Sequence, residues 1–457
     1  MIKIDRTDWK LSAILLVYLA VLLVLSSIDY PFIWGANHLR YHPAWVWVVC
    51  SVALVSLSIP AVRSRLLALK LPSLSPRSQY FALIGIASVG FVVLRDATHL
   101  LGDGYLLARE LDHGLRKIGN EPLSLWILHR SQAILDSGGF ASSHLYFAWS
   151  FISGLAYVAL VPLVAAQITD SNRSRAVVSL FLLLPGFVQL FFGYHETYPV
   201  LYPLLLIFVW LGLRAQEGHL PSWMPCAVLG LMISLHFTMA TLVPSVLLIL
   251  GNEGGLKQRV LDVATRIGSV VPGVLAVVAM LWLVDFDLDR YLNSASEETL
   301  LPLFSQAGHS TPYGALSADH LIEFASEMLL VFLPTIIVLP FVTRAFLRSR
   351  SSLFLLSAAI PAWITTFMGF TVIGAFRDWD ALAFPSLVTT VWAGLALVRC
   401  CDAARIRQVC CVVVAVAGVN TALWVTVNAD PERSTRRYEE ALRFSNLSSR
   451  ARAFGWE

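Results

Sequence analysis

The sequence predicts an all-α protein: a polytopic bundle of about thirteen membrane-spanning helices, with amphipathic helices lying along its outer surface. Three observations carry that expectation. Hydrophobic residues make up 57% of the 457-residue chain and charged residues only 14%, with a mean hydropathy of +0.69, whereas a soluble domain carries about a quarter charged residues. Apolar stretches recur along most of the chain instead of gathering in one segment. Basic residues fall in every second connection between them, as the positive-inside bias requires.

The first apolar stretch, Leu11 to Ile28, follows Lys3, Arg6 and Lys10 and lacks a small-residue cleavage site. It therefore reads as a retained first helix with a cytoplasmic N-terminus. A helix needs about 20 apolar residues to cross hydrocarbon. Further spans are expected near 43–60, 79–95, 143–167, 176–192, 198–213, 222–236, 238–250, 267–284, 328–343, 352–373, 381–399 and 408–426. The short pair at 222–250 flanks His236 and is either two spans or one broken element. Alternation places Arg63, Arg65, Arg173, Arg175, Arg214, Arg344, Arg348 and Arg405 inside, and puts segments 96–142 and 285–327 and the tail outside, with most of the acidic residues. The chain thus divides into two N-terminal helices (1–78), a membrane core (79–400), a last span (401–426) and a short polar tail (427–457).

The outer segments are not plain linkers. "LLARELDHGLRKI" and "PLSLWILHRSQAIL" place apolar and charged residues at helical spacing, as surface-lying helices do. Segment 285–327 is too long for an idle connection, which suggests a lid or a substrate-binding element. The tail reads as a short solvated helix around "PERSTRRYEEALRF". The six cysteines, in spans and around a cytoplasmic turn, do not form a disulfide framework. No basic block or zinc spacing points to nucleic acid.

Polar chemistry concentrates in four places on the outer side. After the third span, "LRDATHLLGDGYLLARELDHG" carries Arg95, Asp96, Asp103, Tyr105 and Arg109. Asp103 lies between two glycines, on a backbone that permits close approach, and a carboxylate presented in this way can serve as a general base; Asp96 competes with it. The second place, "FFGYHETYP", sets Tyr194, His195 and Glu196 in a very short hairpin at headgroup depth, where an unpaired carboxylate is costly. His195 and Glu196 with Asp103 leave a divalent cation as an open option. "AFRDWDALAFP" supplies Arg377, Asp378, Trp379 and Asp380: the guanidinium fork suits phosphoryl oxygens, and the indole offers a stacking face, or else the group is an ion pair with an interfacial anchor. His236 and His320 complete the set, with His320 opening a helix whose N-terminal end attracts anions.

This pattern resembles the C-type superfamily of membrane glycosyltransferases, near its uncharacterised bacterial members. The resemblance implies transfer of a sugar from a polyprenyl-phosphate carrier to an acceptor hydroxyl at the outer face of the inner membrane. Asp103 in "GDGY" matches the acidic residue of an early outer loop, and the helices at 106–135 match a surface-lying pair. Asp103 would take the acceptor proton, arginines would bind the leaving phosphate, and a single displacement would invert the anomeric carbon. The expected partners are the lipid-linked donor, membrane lipid and a glycan, lipid or protein acceptor. Two spans precede the acidic loop where the family commonly has one, and there is no large soluble C-terminal domain. A secondary transporter or lipid flippase and a non-catalytic envelope scaffold are the alternatives.

Overall fold

Helices dominate because apolar runs of this length can satisfy their backbone N–H and C=O groups only internally within a bilayer. The computed structural model describes residues 6–30, 33–69, 75–114, 119–135, 141–249, 256–289, 291, 300–304, 313–371 and 373–444. Every helix or strand element among these residues is helical, and the only β-bridge is an isolated one between Leu300 and Gly369. The α-helices are α1 (Arg6–Ser27), α2 (Ala44–Ser58), α3 (Pro60–Ala68), α4 (Pro76–Val93), α5 (Gly104–Asp112), α6 (Pro122–Leu135) and α7 (Ser142–Ile168). They continue as α8 (Asn172–Leu183), α9 (Leu201–Gln216), α10 (Trp223–Leu235), α11 (Val243–Ile249), α12 (Leu256–Leu283), α13 (Ala318–Val331) and α14 (Leu333–Val338). The last seven are α15 (Arg344–Leu347), α16 (Arg350–Met368), α17 (Trp379–Ala383), α18 (Pro385–Cys400), α19 (Ala403–Val413), α20 (Val419–Asn428) and α21 (Pro431–Phe444).

Six helical stretches among the described residues are long and apolar enough to cross a membrane, or up to eight if each of two bent pairs is one span. The six are Asp8–Ser27, Ser142–Ile168, Tyr198–Gln216, Arg350–Met368, Trp379–Cys400 and Ala403–Asn428. Four shorter apolar helices accompany them, so length and composition do not establish the expected count of about thirteen. The differences have local causes. The segment read as a span at 176–192 stops at Leu183, and a 3-10 turn, Gly186–Phe191, follows Pro185. The run into 328–343 bends by 80° between α13 and α14, where Pro334 near the start of α14 cannot continue the hydrogen-bond ladder. At 222–250 the chain is two short helical pieces joined through an extended His236.

The core is centred on α18, where every residue from Pro385 to Leu397 is buried. Elsewhere small residues let backbones meet, as in other membrane bundles. A Cβ at Gly230 of α10 would lie 2.3 Å from the carbonyl oxygen of Gly273 in α12. Polar side chains fix the remaining joints. Asn420 donates to the carbonyls of Gly35 and Leu329, binding the last span to the N-terminal region and to α13. Arg63, placed by sequence in a basic cytoplasmic connection, is fully buried. It donates to Gln408 Oε1 and to the Leu57 and Asp8 carbonyls, which holds the 91° corner between α2 and α3.

Two expectations about the polar segments meet the structure differently. Both surface helices form, as α5 and α6, and bury Leu107, Leu111, Leu125 and Leu128 against Tyr146 of α7 in a small core of their own. The tail helix also forms, as α21, but it is not simply solvated: Ser434, Arg437 and Tyr438 are buried. Within segment 285–327, residues 290, 292–299 and 305–312, which make up much of the expected lid, lie outside the described residues. All six cysteines are free.

Candidate functional site

The site is built where the loop between α4 and α5 meets the hairpin before α9. Gly102 takes φ +69, a left-handed conformation that suits glycine. Its N–H donates to the Arg377 carbonyl at 2.6 Å, and the Arg377 guanidinium donates back to the Gly102 carbonyl at 3.3 Å. That reciprocal pair presents Asp103 at the start of α5. The Asp103 N–H donates to Glu196 Oε1 at 2.8 Å, and the two carboxyl groups also hydrogen-bond to each other. The flanking glycines are required by the hairpin itself. A Cβ on Gly102 would lie 2.5 Å from Glu196 Oε1, and one on Gly104 would lie 1.8 Å from the His195 carbonyl oxygen.

Asp103 is half-buried, whereas Glu196 is 2% exposed. Burial first, and then the neighbouring Asp103 and Asp380, hold the Glu196 carboxyl well above the usual carboxylate range. A carboxyl held in this way favours its neutral form. Beside the two carboxyls the rings of His99 and His195 stack in parallel, 3.5 Å apart. Burial, and then His99, push His195 down to about 3, so its imidazole is neutral at any working pH.

Two sequence neighbours therefore limit stability from opposite sides. Glu196 stays protonated in the fold but ionises in the unfolded chain above its ordinary 4.5. Its contribution is full below that pH and is lost as pH rises toward the raised folded value. His195 protonates in the unfolded chain below 6.5 but in the fold only near 3. Its contribution is full above 6.5 and is lost as pH falls through that window. Glu196→Gln is expected to raise the melting temperature at about pH 8 and to change it little at about pH 4. An equal offset at both pH values, in a thermal scan of the purified protein, counts against a protonated Glu196.

The remaining predicted residues divide into several groups. Asp96 is buried, and its Oδ1 accepts from the N–H groups of Thr98 and His99 at 3.1 and 3.0 Å, a turn-forming arrangement. Arg95, Tyr105 and Arg109 are exposed at the same end of the bundle. Asp378 is half-buried and Asp380 fully buried. Trp379 is enclosed, edge-on to Tyr194 at 5.5 Å and to Trp424 at 5.6 Å; its indole packs the core and offers no open stacking face. His236 lies against the Tyr198 hydroxyl at 3.1 Å and Glu121 Oε1 at 3.3 Å. His320 belongs to another group, with its Nε2 on the Phe367 carbonyl at 2.7 Å and its ring near Tyr313. No group of three or more His, Cys, Asp or Glu among the described residues is arranged to hold a metal.

Sequence reasoning missed Glu121, Tyr146 and the pair Arg437 and Tyr438. Glu121 immediately precedes α6, a position where acidic residues are common for dipole reasons alone. The tail pair left a usable signal: Ser434, Arg437, Tyr438 and Ala441 recur at i, i+3, i+4 and i+7, one face of a helix.

No family model matches the chain, and no curated protein matches it. Among solved structures it is similar to ArnT from Cupriavidus metallidurans bound to undecaprenyl phosphate, with a TM-score of 0.50 and 13% identity over 78% of each chain. That likeness shows a shared fold with this ArnT. The apo form of the same ArnT gives a TM-score of 0.46 at 18% identity, covering 71% of this chain and 60% of that one. The apo oligosaccharyltransferase of Archaeoglobus fulgidus gives 0.44 at 14% identity, covering 78% and 56%. Within this fold, the Asp103 loop and the Glu196 hairpin stand at one end of the bundle.

Proposed function

We propose that this chain is a glycosyltransferase of the bacterial inner membrane, transferring a sugar from a polyprenyl-phosphate carrier to an acceptor hydroxyl at the outer face. The observation that carries this reading is the carboxyl pair of Asp103 and Glu196, clasped through Gly102 by Arg377, on a C-type fold. The solved structure similar to this chain holds undecaprenyl phosphate, which supports a lipid phosphate donor here. In this mechanism Asp103 takes the acceptor proton as the acceptor oxygen bonds to the sugar C1 and the C1–O bond to phosphate breaks, leaving the electron pair on the carrier phosphate. A single displacement of this kind inverts the anomeric centre. Arg95 and Arg109 are exposed cations at that end and the candidates for the leaving phosphate, while Arg377 fixes the loop.

A transporter reading draws on Glu327, which is fully buried in α13 with neither carboxylate oxygen hydrogen-bonded among the described residues, and on the break at His236. Intramembrane acids of that kind often mark ion paths. The deciding experiment incubates nanodisc-embedded protein with radiolabelled polyprenyl-phosphate sugars and a membrane extract. Transfer of label with inversion supports the enzyme. A folded protein that neither transfers nor hydrolyses any donor, yet carries a labelled lipid across the bilayer, overturns it.

A further inference from the structure

Helix α21 reads in the sequence as a solvated tail, yet its buried face is directed at the loop that carries Asp103. Ser434 Oγ lies 2.7 Å from Thr98 Oγ1, next to the Asp96 turn. The Arg437 guanidinium is buried between two rings, 4.3 Å from the Trp424 centroid and 5.3 Å from that of Phe376. It donates to Asn428 Oδ1, and the Asn428 carbonyl accepts from the N–H of Ala97 at 3.0 Å. The Tyr438 ring sits under the Arg377 guanidinium, 5.7 Å from its centroid. Arg377 in turn clasps Gly102. Three side chains at i, i+3 and i+4 of one short helix therefore reach both ends of the 96–103 loop.

This arrangement is unusual for a tail. An arginine that is 2% exposed, with Nε and Nη1 lacking hydrogen-bond partners among the described residues, is costly to bury. Contact of a guanidinium with aromatic faces offsets part of that cost. Leu or Met would fill the same space more cheaply if packing were its only role.

We propose that Arg437 and Tyr438 are positioning residues for Asp103, and that the tail helix is part of the catalytic scaffold. The inference rests on the reading of Asp103 as the base. The route is explicit: Tyr438 orients the Arg377 guanidinium, Arg437 seats Phe376 immediately before it, and Arg377 sets the backbone of Gly102 and hence of Asp103. Displacement of a reacting group by about 1 Å costs up to about a hundredfold in rate.

The test uses full-length protein in nanodiscs and the variants Tyr438→Ala, Tyr438→Phe, Arg437→Met and Arg437→Lys. Hydrogen–deuterium exchange over residues 97–104 is read alongside transfer kinetics. In Tyr438→Ala and Arg437→Met the amides of Gly102 and Asp103 are expected to exchange faster while peptides of α18 stay unchanged. Turnover is expected to fall about 10- to 100-fold with donor KM within about threefold, and Tyr438→Phe to retain wild-type behaviour. Unchanged exchange at 97–104 in both disruptive variants overturns the inference, as does a loss of turnover that Tyr438→Phe shows equally. Wild-type protein without transfer activity overturns the enzymatic reading instead, and the exchange data still decide whether the tail holds the loop.

Discussion

Asp103→Asn is expected to lower sugar transfer by about 10²- to 10⁴-fold, the range typical of losing a general base, while folding and donor binding persist. The amide occupies the same space and leaves the backbone hydrogen bond from residue 103 to Glu196 in place, so the change removes basicity with little disturbance of geometry. The paired comparison is Asp96→Asn. Asp96 engages two backbone N–H groups in its own turn, and an amide oxygen can still accept from them. Transfer in that variant is expected to stay within about threefold of wild type, since a turn acceptor acts on stability and not on the chemical step. Full transfer in Asp103→Asn with loss in Asp96→Asn would reverse the assignment of the base. Loss in both, with unchanged melting temperatures, would mean that the two carboxylates act together.

The two assignments differ in how far sequence can see. Local signals were strong where one element decides the outcome: the apolar periodicity of α5 and α6, the polar residues of the two loops, and the breaks at Gly102 and His236 are all legible along the chain. Geometry between distant segments was not. The bond from residue 103 to Glu196 joins positions 93 apart in sequence, and nothing in the spacing of "GDGY" and "GYHETYP" specifies that contact. The same holds for Trp379, whose neighbours suggested an open stacking face until α20 and the hairpin enclosed it. Arg377 shows how a correct emphasis can carry a different role: its charge suggested phosphate, whereas its fork is spent at least partly on a backbone carbonyl. The tail was misjudged because high charge usually marks a solvated helix. The burial of Ser434, Arg437 and Tyr438 shows that one face is docked.

Gly104→Ala is expected to disable the site through a single added methyl. The new Cβ would stand 1.8 Å from the His195 carbonyl oxygen and 2.7 Å from the His195 Cβ. Neither atom belongs to a flexible side-chain end, so no rotamer change relieves the clash; the loop and the hairpin must separate. Separation stretches the 2.8 Å bond from residue 103 to Glu196 and loosens the carboxyl pair. Overpacking of this kind costs about 1–3 kcal/mol, and transfer should fall about a hundredfold or more as the base shifts. Gly114→Ala is the informative comparison. Gly114 has φ +65, so alanine there is strained, yet among the described residues nothing lies within 4 Å of its would-be Cβ. That variant is expected to lose about 1 kcal/mol of stability from the left-handed backbone alone, with transfer nearly intact. If Gly104→Ala retains both its melting temperature and its transfer rate, loop and hairpin are not in contact, and the carboxyl pair loses its structural basis. If both glycine variants lose stability equally but only Gly104→Ala loses transfer, close approach and not backbone strain is what the "GDG" sequence provides.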